Sequence, residues 1–488
     1  MTPYSPFNST FSSAKSSTSW FSVLLLILQI ALCEVVIASP TGSVTDANQH
    51  RKAFMSPFAT LNMMEGLDFR VGQSIFEKIW VFAPSSTTAS DGLGPLYNAR
   101  SCSHCHQRNG RGLAPNAGEQ MSTSLLFRLS IPLSSEIPEP EHTVTENKLY
   151  DQTGVIPEPT YGTQLQTFAY PGGKAEATVR TQYTEQLIAL HGGEVVTLRQ
   201  PAFTVHNLNY GNLHPHALLS PRIASPIIGL GLIDAIPDEA INRQADPQDS
   251  DKDGISGRVN RVWDIAKQQM AQGRYGWKAG QPTLDQQNNA ALRNDLGISN
   301  WLFPDPYGDC TPEQTACLEQ AHGNSEGQDN LEASRKMTDA LLFYTKHIAV
   351  PPRRNTDDPR VAEGAQIFSE IGCDQCHTPS YQISWPDTQN TKTIFPYTDF
   401  LLHDLGEALA DHRPEFSAAG NEWRTPPLWG LGLTAAVSGQ VNLLHDGRAR
   451  SILEAILWHG GEAEPHKKHV ISLTPKQRQK LILFLESL

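Results

Sequence analysis

The distribution of apolar residues divides the chain into a short apolar leader and a long, mostly polar body. Residues 21–32 form an almost unbroken apolar run, and Val36-Ile37-Ala38 follows, with residues small enough for signal-peptidase cleavage at its outer positions. This pattern is typical of a secretory signal peptide, residues 1–38, that is cleaved after Ala38. Two alternatives stay open: an uncleaved membrane anchor, or a lipid attached at Cys33. All three place the body of the protein outside the cytoplasm.

In the body, apolar residues recur at helical spacing in residues 361–371 and around residues 331–348. Residues 351–354, Pro-Pro-Arg-Arg, follow the second of these helices and favour a domain boundary. Helices dominate the remaining pattern, with long loops rich in Gly and Pro between them.

Two short motifs carry the most specific chemistry. Residues 102–106 have the sequence Cys-Ser-His-Cys-His, and residues 373–377 have the sequence Cys-Asp-Gln-Cys-His. In a C-x-x-C-H motif the two thiols bond the vinyl groups of one haem, and the adjacent His ligates its iron. A zinc knuckle or a thioredoxin-like pair would not need a His after each Cys pair. The motifs therefore predict two covalently bound c-type haems, held by Cys102, Cys105 and His106 and by Cys373, Cys376 and His377.

The two halves of the body also resemble each other. Gly72 and Phe76, ahead of the first motif, match Gly364 and Phe368, ahead of the second. Later in each half comes an Arg-Pro-Gly-Leu-Gly-Leu segment. The alternative is a coincidental Gly/Leu turn, but the shared order of both features favours an internal duplication. These segments lie in residues 222–232 and 424–433.

These observations predict a fold class. We expect a mainly α protein made of two cytochrome c-like haem domains, with long irregular loops and few short strands. The N-terminal haem domain, with inserted loops, would span residues 48–350, and the C-terminal cytochrome c domain would span residues 355–488.

Composition excludes some partners and accounts for the cysteines. The 488-residue chain has a formal net charge of −13, which argues against nucleic acid and favours a small basic electron donor. Of its seven cysteines, Cys33 would leave with the signal peptide and four would hold haems. The remaining pair, Cys310 and Cys317, suits a structural disulfide in an exported protein, with a catalytic dithiol as the alternative.

An acidic segment offers a second kind of metal site. Asp249, Asp251 and Asp253, followed by Gly254, have the spacing of the first half of a calcium loop. Position twelve is Asn260, where an EF-hand would have Glu. Calcium binding and a solvated acidic turn both stay open.

The chain resembles the bacterial di-haem cytochrome c peroxidases, and within that superfamily the di-haem oxidoreductases described as peroxidases or thiol oxidoreductases. The resemblance covers most of residues 60–488. The matching segments are residues 102–112, 220–236, 245–264, 273–297, 397–411 and 423–463.

The resemblance implies roles for individual residues. The family has the sixth iron ligand of its C-terminal haem fourteen residues after a His that corresponds to His445, and His459 has this position. The family often has Met there, so a His predicts a low-spin haem with a lower reduction potential. Trp277 corresponds to a Trp between the two haems, and Gln287 to a Gln of the distal pocket. The family's distal acid would fall on Gly297, and Asp295, two residues earlier, is the candidate for its role.

The function that the resemblance implies is that of an exported, periplasmic di-haem oxidoreductase reducing hydrogen peroxide. Its N-terminal haem would react with peroxide, and its C-terminal haem would receive electrons from a small cytochrome c or cupredoxin. The alternatives are a tailoring oxidase acting on a protein or organic substrate, and an electron carrier with both irons saturated. A further His ligand on the first haem, from among His142, His191, His206, His214 and His216, would favour the carrier.

Overall fold

The computed structural model describes residues 51–118, 122–132, 150–385 and 391–488. The predicted signal peptide, residues 1–38, lies outside the described residues. In the described part of the chain, no helix is long and apolar enough to cross a membrane. The described residues form one compact unit, and the predicted domain division after residue 350 stays a prediction.

The α-helices whose bounds both lie in the described residues are joined by loops and single 3₁₀ turns. They are α1 (Met63–Glu77), α2 (Cys102–Cys105), α3 (Leu230–Asp234), α4 (Asp238–Asn242), α5 (Leu284–Leu296), α6 (Thr315–Leu318), α7 (Arg335–Lys346), α8 (Pro359–Glu370), α9 (Thr434–Ser438), α10 (Ile452–Trp458), α11 (Glu464–Ser472) and α12 (Pro475–Ser487).

The described residues also contain twelve strands, which pair into six two-stranded antiparallel sheets. The pairs are β1 (Leu96–Tyr97) with β3 (Phe168–Ala169), β2 (Leu125–Ser130) with β6 (Leu218–Ile223), β4 (Thr178–Ala189) with β5 (Val195–His206), β7 (Arg261–Asp264) with β8 (Gln269–Gln272), β9 (Tyr381–Ile383) with β10 (Lys392–Ile394), and β11 (Leu402–Asp404) with β12 (Glu422–Arg424).

The prediction of a mainly α fold of two cytochrome c-like domains is therefore wrong. Strands contribute too much of the chain, and the fold mixes helices with many small antiparallel sheets. The clearest departure is the β4–β5 hairpin, in which twelve residues of each strand pair from Thr178 to His206. Together the two strands contain five threonines and four valines, which favour strands, and Gly192 and Gly193 adopt positive φ at the turn.

The predicted repeat appears as one helix packing against another in each half. Helix α1 contacts α7, and helix α8 contacts α12. A Cβ on Gly72 would overlap the carbonyl oxygen of Ala340, and a Cβ on Gly364 would overlap that of Lys480. Glycine is therefore required at both crossings, because the helix backbones approach too closely for a side chain.

The Gly-Leu-Gly-Leu segments take equivalent places in the two halves. Gly229 and Gly430 both adopt positive φ before a short helical turn. The next glycine of each segment lies against the end of the long helix of its own half. A Cβ at these positions would overlap backbone carbonyl oxygens, at Lys346 in α7 and at Glu486 in α12.

Candidate active site

The first C-x-x-C-H motif lies in the wall of a large cavity of about 600 Å³. Cys102 and Cys105, on the single turn of α2, and the adjacent His106 all line this cavity. Neither thiol belongs to a disulfide. The motif therefore presents two thiols and an imidazole to one space.

Local contacts fix the orientation of His106. Its Nδ1 donates to the carbonyl oxygen of Ser225 over 2.7 Å, which leaves Nε2 free to act as an iron ligand. The ring of Phe76, from α1, packs beside it at 6.3 Å between centroids. Burial lowers the pKa of His106 to about 4, so its imidazole is neutral, as an iron ligand must be.

The second motif repeats this arrangement around a smaller cavity of about 190 Å³. The Nδ1 of His377 donates to the carbonyl oxygen of Tyr397 over 3.0 Å, and Phe368 packs against the imidazole at 6.2 Å between centroids. Burial, with a contribution from His459, lowers the pKa of His377 to about 4. Cys373 and Cys376 line the same cavity, and neither is in a disulfide.

His459 also lines the second cavity. Its Nδ1 donates to the carbonyl oxygen of Ala455 over 2.8 Å, which again leaves Nε2 free. Burial lowers the pKa of His459, so this imidazole is neutral as well. The structure thus brings His377 and His459 to one cavity, and ligation by His459 stays a prediction.

Helix α5 carries two of the predicted distal residues to the first cavity. Both Gln286 and Gln287 line the cavity, but the Gln286 side chain is already hydrogen-bonded to the backbone of Trp263 and Ile265. Since the Gln286 amide already has backbone partners, Gln287 is the glutamine that is available to bind a ligand.

Asp295, at the other end of α5, lines the first cavity as well. Its Oδ1 accepts a hydrogen bond from Gln164 over 2.9 Å. Burial raises the pKa of Asp295, against the opposing charge of Arg128. A carboxyl whose pKa is shifted toward neutrality is suited to accept and return a proton.

Trp277 lies in the wall between the two cavities and lines both. Its Nε1 donates to the carbonyl oxygen of Ile223 over 2.9 Å. Arg111 also lines both cavities, with its guanidinium carbon 5.6 Å from the Trp277 ring centroid. Trp277 thus contacts both cavities, and its role between two haems stays a prediction.

Several charged residues near the cavities escaped the sequence analysis. Lys278 is fully buried, and its Nζ donates to Asp411 over 2.9 Å and to the carbonyl oxygens of Arg413 and Ala419. Burial alone would raise the pKa of Asp411, but the charges of Arg222 and Lys278 outweigh it and hold that pKa at about 2. This network ties residues of both halves together.

Glu415 is a second carboxylate of the first cavity that the sequence analysis missed. It pairs with Arg413 over 3.0 Å and with Arg222 over 3.6 Å. Burial alone would raise its pKa, but the arginines lower it. Glu415 is thus held ionised as a counter-ion, in contrast to Asp295.

A buried cluster around His403 borders the second cavity and was also missed. Nε2 of His403 lies 2.7 Å from Oδ2 of Asp399, and its Nδ1 lies 2.7 Å from Oε2 of Glu462. Cys376 is 3.8 Å from the same imidazole. No local sequence signal marks this cluster, since its members come from three separate segments.

The histidines of the two cavities differ in number. Among the described residues that line the first cavity, His106 is the sole histidine. His191, His206, His214 and His216 do not line it, and His142 lies outside the described residues. The second cavity is lined by His377, His403, His445, His459 and His466.

Two further predictions concern sites outside the cavities. Cys310 and Cys317 form a disulfide, with their Cα atoms 6.4 Å apart, so the structural alternative is confirmed. The carboxylates of Asp249, Asp251 and Asp253 lie within 4.8 Å of one another. Calcium binding there stays a prediction.

Comparison with known proteins gives one strong match. Residues 34–488 match the family described as "Di-haem oxidoreductase, putative peroxidase". No curated protein matches the chain. Among solved structures, a chain of "Kuenenia stuttgartiensis Hydrazine Synthase Pressurized with 20 bar Xenon" aligns with 52% of this chain and 88% of its own length, at 14% identity and a TM-score of 0.24. A TM-score this low carries no argument.

Proposed function

The chain belongs to the di-haem oxidoreductase family, and we propose that it is an exported peroxidase that holds both haems covalently. Each cavity has a pair of thiols outside any disulfide and a neutral imidazole oriented by a backbone carbonyl. These donors fit a c-type haem, which needs two thioether bonds and one His ligand. When bound, a haem supplies an iron that exchanges electrons and, where a coordination position is open, accepts a small ligand.

The difference between the two cavities carries the proposal. Besides His377, the second cavity offers His459 as a second neutral imidazole, which would suit a saturated iron that only transfers electrons. The described lining of the first cavity offers no second histidine and instead has Gln287 and Asp295. This asymmetry supports peroxide chemistry at the first cavity and weighs against a pure electron carrier.

Asp295 and Gln287 have separate tasks in this proposal. Asp295 takes the proton of hydrogen peroxide and returns it to the leaving oxygen, for which its raised pKa is suited. Gln164 holds the Asp295 carboxyl in place through its hydrogen bond. The amide of Gln287 orients the peroxide, since no hydrogen bond among the described residues engages it. Hydrogen peroxide plus two protons and two electrons then gives two molecules of water.

In this proposal Trp277 provides the path for electrons between the two haem sites. It lines both cavities, so it shortens the gap between the electron-entry site and the peroxide site. The electrons would come from a small cytochrome c or cupredoxin. A basic donor suits the net charge of −13, because opposite charges speed the encounter of two proteins.

Export to the periplasm is part of the proposal and rests on two features of the sequence. One is the leader of residues 1–38, and the other is c-type attachment, which takes place outside the cytoplasm in bacteria. In the alternative of an uncleaved leader, the same body would be anchored at the membrane.

The test is turnover by the full chain produced with c-type haem maturation. Mass spectrometry of the denatured chain should show the mass of two haems attached, and Cys102→Ser with Cys105→Ser should remove one. Reduced cytochrome c should then be oxidised in proportion to the peroxide consumed. A chain with two attached haems that consumes no peroxide with any small redox donor would contradict the peroxidase proposal.

A further inference from the structure

Arg111 lies where the two halves meet. It comes shortly after the first C-x-x-C-H motif, and its backbone N–H donates to Ser438 Oγ over 3.0 Å, in the other half. Its side chain lines both cavities beside Trp277. Anything that Arg111 binds would therefore touch the space of both haems.

The guanidinium of Arg111 lacks the partners that a buried cation needs. Its Nε and Nη1 are buried and have no hydrogen-bond partner among the described residues. A charged donor that is buried without a hydrogen-bond partner is unfavourable, because it has lost its hydration and gained nothing in return. Burial also lowers the pKa of Arg111, to about 10, which shows how little compensating charge surrounds it.

Several other arginines of the first cavity already have carboxylate partners. Arg222 lies 3.1 Å from Asp411, and Arg274 lies 2.6 Å from Asp238. The second cavity has no carboxylate among its described lining residues. The missing partner of Arg111 is therefore an anion that arrives with a ligand.

We infer that Arg111 binds one propionate carboxylate from each of the two haems and so joins the haems across Trp277. The guanidinium is a rigid fork whose Nε and Nη1 lie on different edges, which suits two separate acceptors. A haem carries two propionates, so each haem can supply one. The inference rests on the proposed binding of two haems.

A shared cation has a measurable consequence. A positive charge beside a haem favours the reduced iron, which carries one positive charge less than the oxidised iron. Arg111 therefore raises the midpoint potentials of both haems together. A cation that served one haem would shift only one of them.

The experiment is a redox titration, followed by absorbance, of the wild type, Arg111→Met and Arg111→Lys. Arg353→Met is the matched control, because Arg353 also has a buried unpaired Nε and lies over an aromatic ring but lines neither cavity. In Arg111→Met we expect two attached haems, both with lower potentials. The expected size is about a tenfold change in the oxidised-to-reduced ratio at fixed potential, or 59 mV for one electron. The control should match the wild type.

Arg111→Lys keeps the positive charge and allows the inference to be tested even if Arg111→Met fails to fold. It should lower both potentials by less, because an ammonium group cannot reproduce the two edges of the fork. Unchanged potentials in an Arg111 variant with two attached haems would overturn the inference, as would a shift of one haem alone. A wild-type chain with fewer than two haems would instead overturn the proposed function.

Discussion

The two halves of the molecule position their motif histidines in the same way and differ in the other residues that line their cavities. In each half a glycine lets two helices cross closely, an aromatic ring packs beside the motif histidine, and a backbone carbonyl fixes that histidine. The rest of the second cavity's lining includes further histidines, whereas that of the first includes glutamines and carboxylates. The two halves thus share the residues proposed to hold a haem and differ in the other residues around it.

The first prediction removes the proton carrier from the first cavity. In Asp295→Asn we expect peroxide turnover to fall by about 10²- to 10⁴-fold, because the amide cannot take a proton. In the wild type the rate should decline as the pH falls through the raised pKa of Asp295, since only the carboxylate is a base. The variant should lose this dependence.

Glu415→Gln is the matched control for Asp295. Its carboxylate lines the same cavity but is held ionised by arginines, so its loss should reduce turnover less. Initial rates and haem spectra of both variants across a pH series make the comparison. If Glu415→Gln were the more damaging variant, with its haem spectra intact, the assignment of the base to Asp295 would fail.

The second prediction concerns the charges that tie the halves together. Lys278→Met leaves Asp411 without one of its buried cations, and we expect the free energy of unfolding to fall by about 3–5 kcal/mol. Lys346→Met removes a half-exposed partner of Asp234 and should cost less than about 1 kcal/mol. Denaturant titration of both variants measures the difference. Equal losses would mean that the buried pair is no more important than the exposed one.

The third prediction tests the repeated helix crossing. Gly72→Ala places a methyl group against the backbone of α7, and we expect it to destabilise the fold by about 1–3 kcal/mol. Gly66→Ala, on the same helix, meets nothing within 4 Å and should stabilise by about 0.5–1 kcal/mol. Thermal unfolding distinguishes the two signs. A neutral Gly72→Ala would mean that the crossing tolerates a side chain.

The fourth prediction concerns the loss of stability in acid. The folded pKa of Asp411, about 2, lies below its ordinary value of 3.8. Asp411 therefore contributes stability that is present above pH 3.8 and is lost as the pH falls toward 2. The shift corresponds to about 2 kcal/mol. In Asp411→Asn the free energy of unfolding should no longer show this part of its decline in acid. A variant whose free energy of unfolding varies with pH as in the wild type would contradict the prediction.

The sequence predicted best those features that a short, continuous stretch of residues marks. Both C-x-x-C-H motifs and the paired glycines Gly72 and Gly364 are local patterns, and the structure gives them equivalent places. Trp277 and Gln287 were found through the family resemblance, because spacing alone does not distinguish a core Trp from a functional one.

What the sequence could not predict depends on contacts between distant segments. The His403 cluster and the pairing of Lys278 with Asp411 join residues far apart along the chain. The strands were underestimated for another reason. Most are two to six residues long, too short for their alternation to stand out, and much of the long β4–β5 hairpin is exposed, so it lacks a strong apolar face.

The central claim is that one haem per chain is open to a ligand and the other is saturated by His459. The direct measurement is a cyanide titration of the oxidised and half-reduced protein, followed by absorbance. We predict one bound cyanide per wild-type chain in at least one redox state and two in His459→Gly. Two in the wild type, or none in any redox state, would contradict the account.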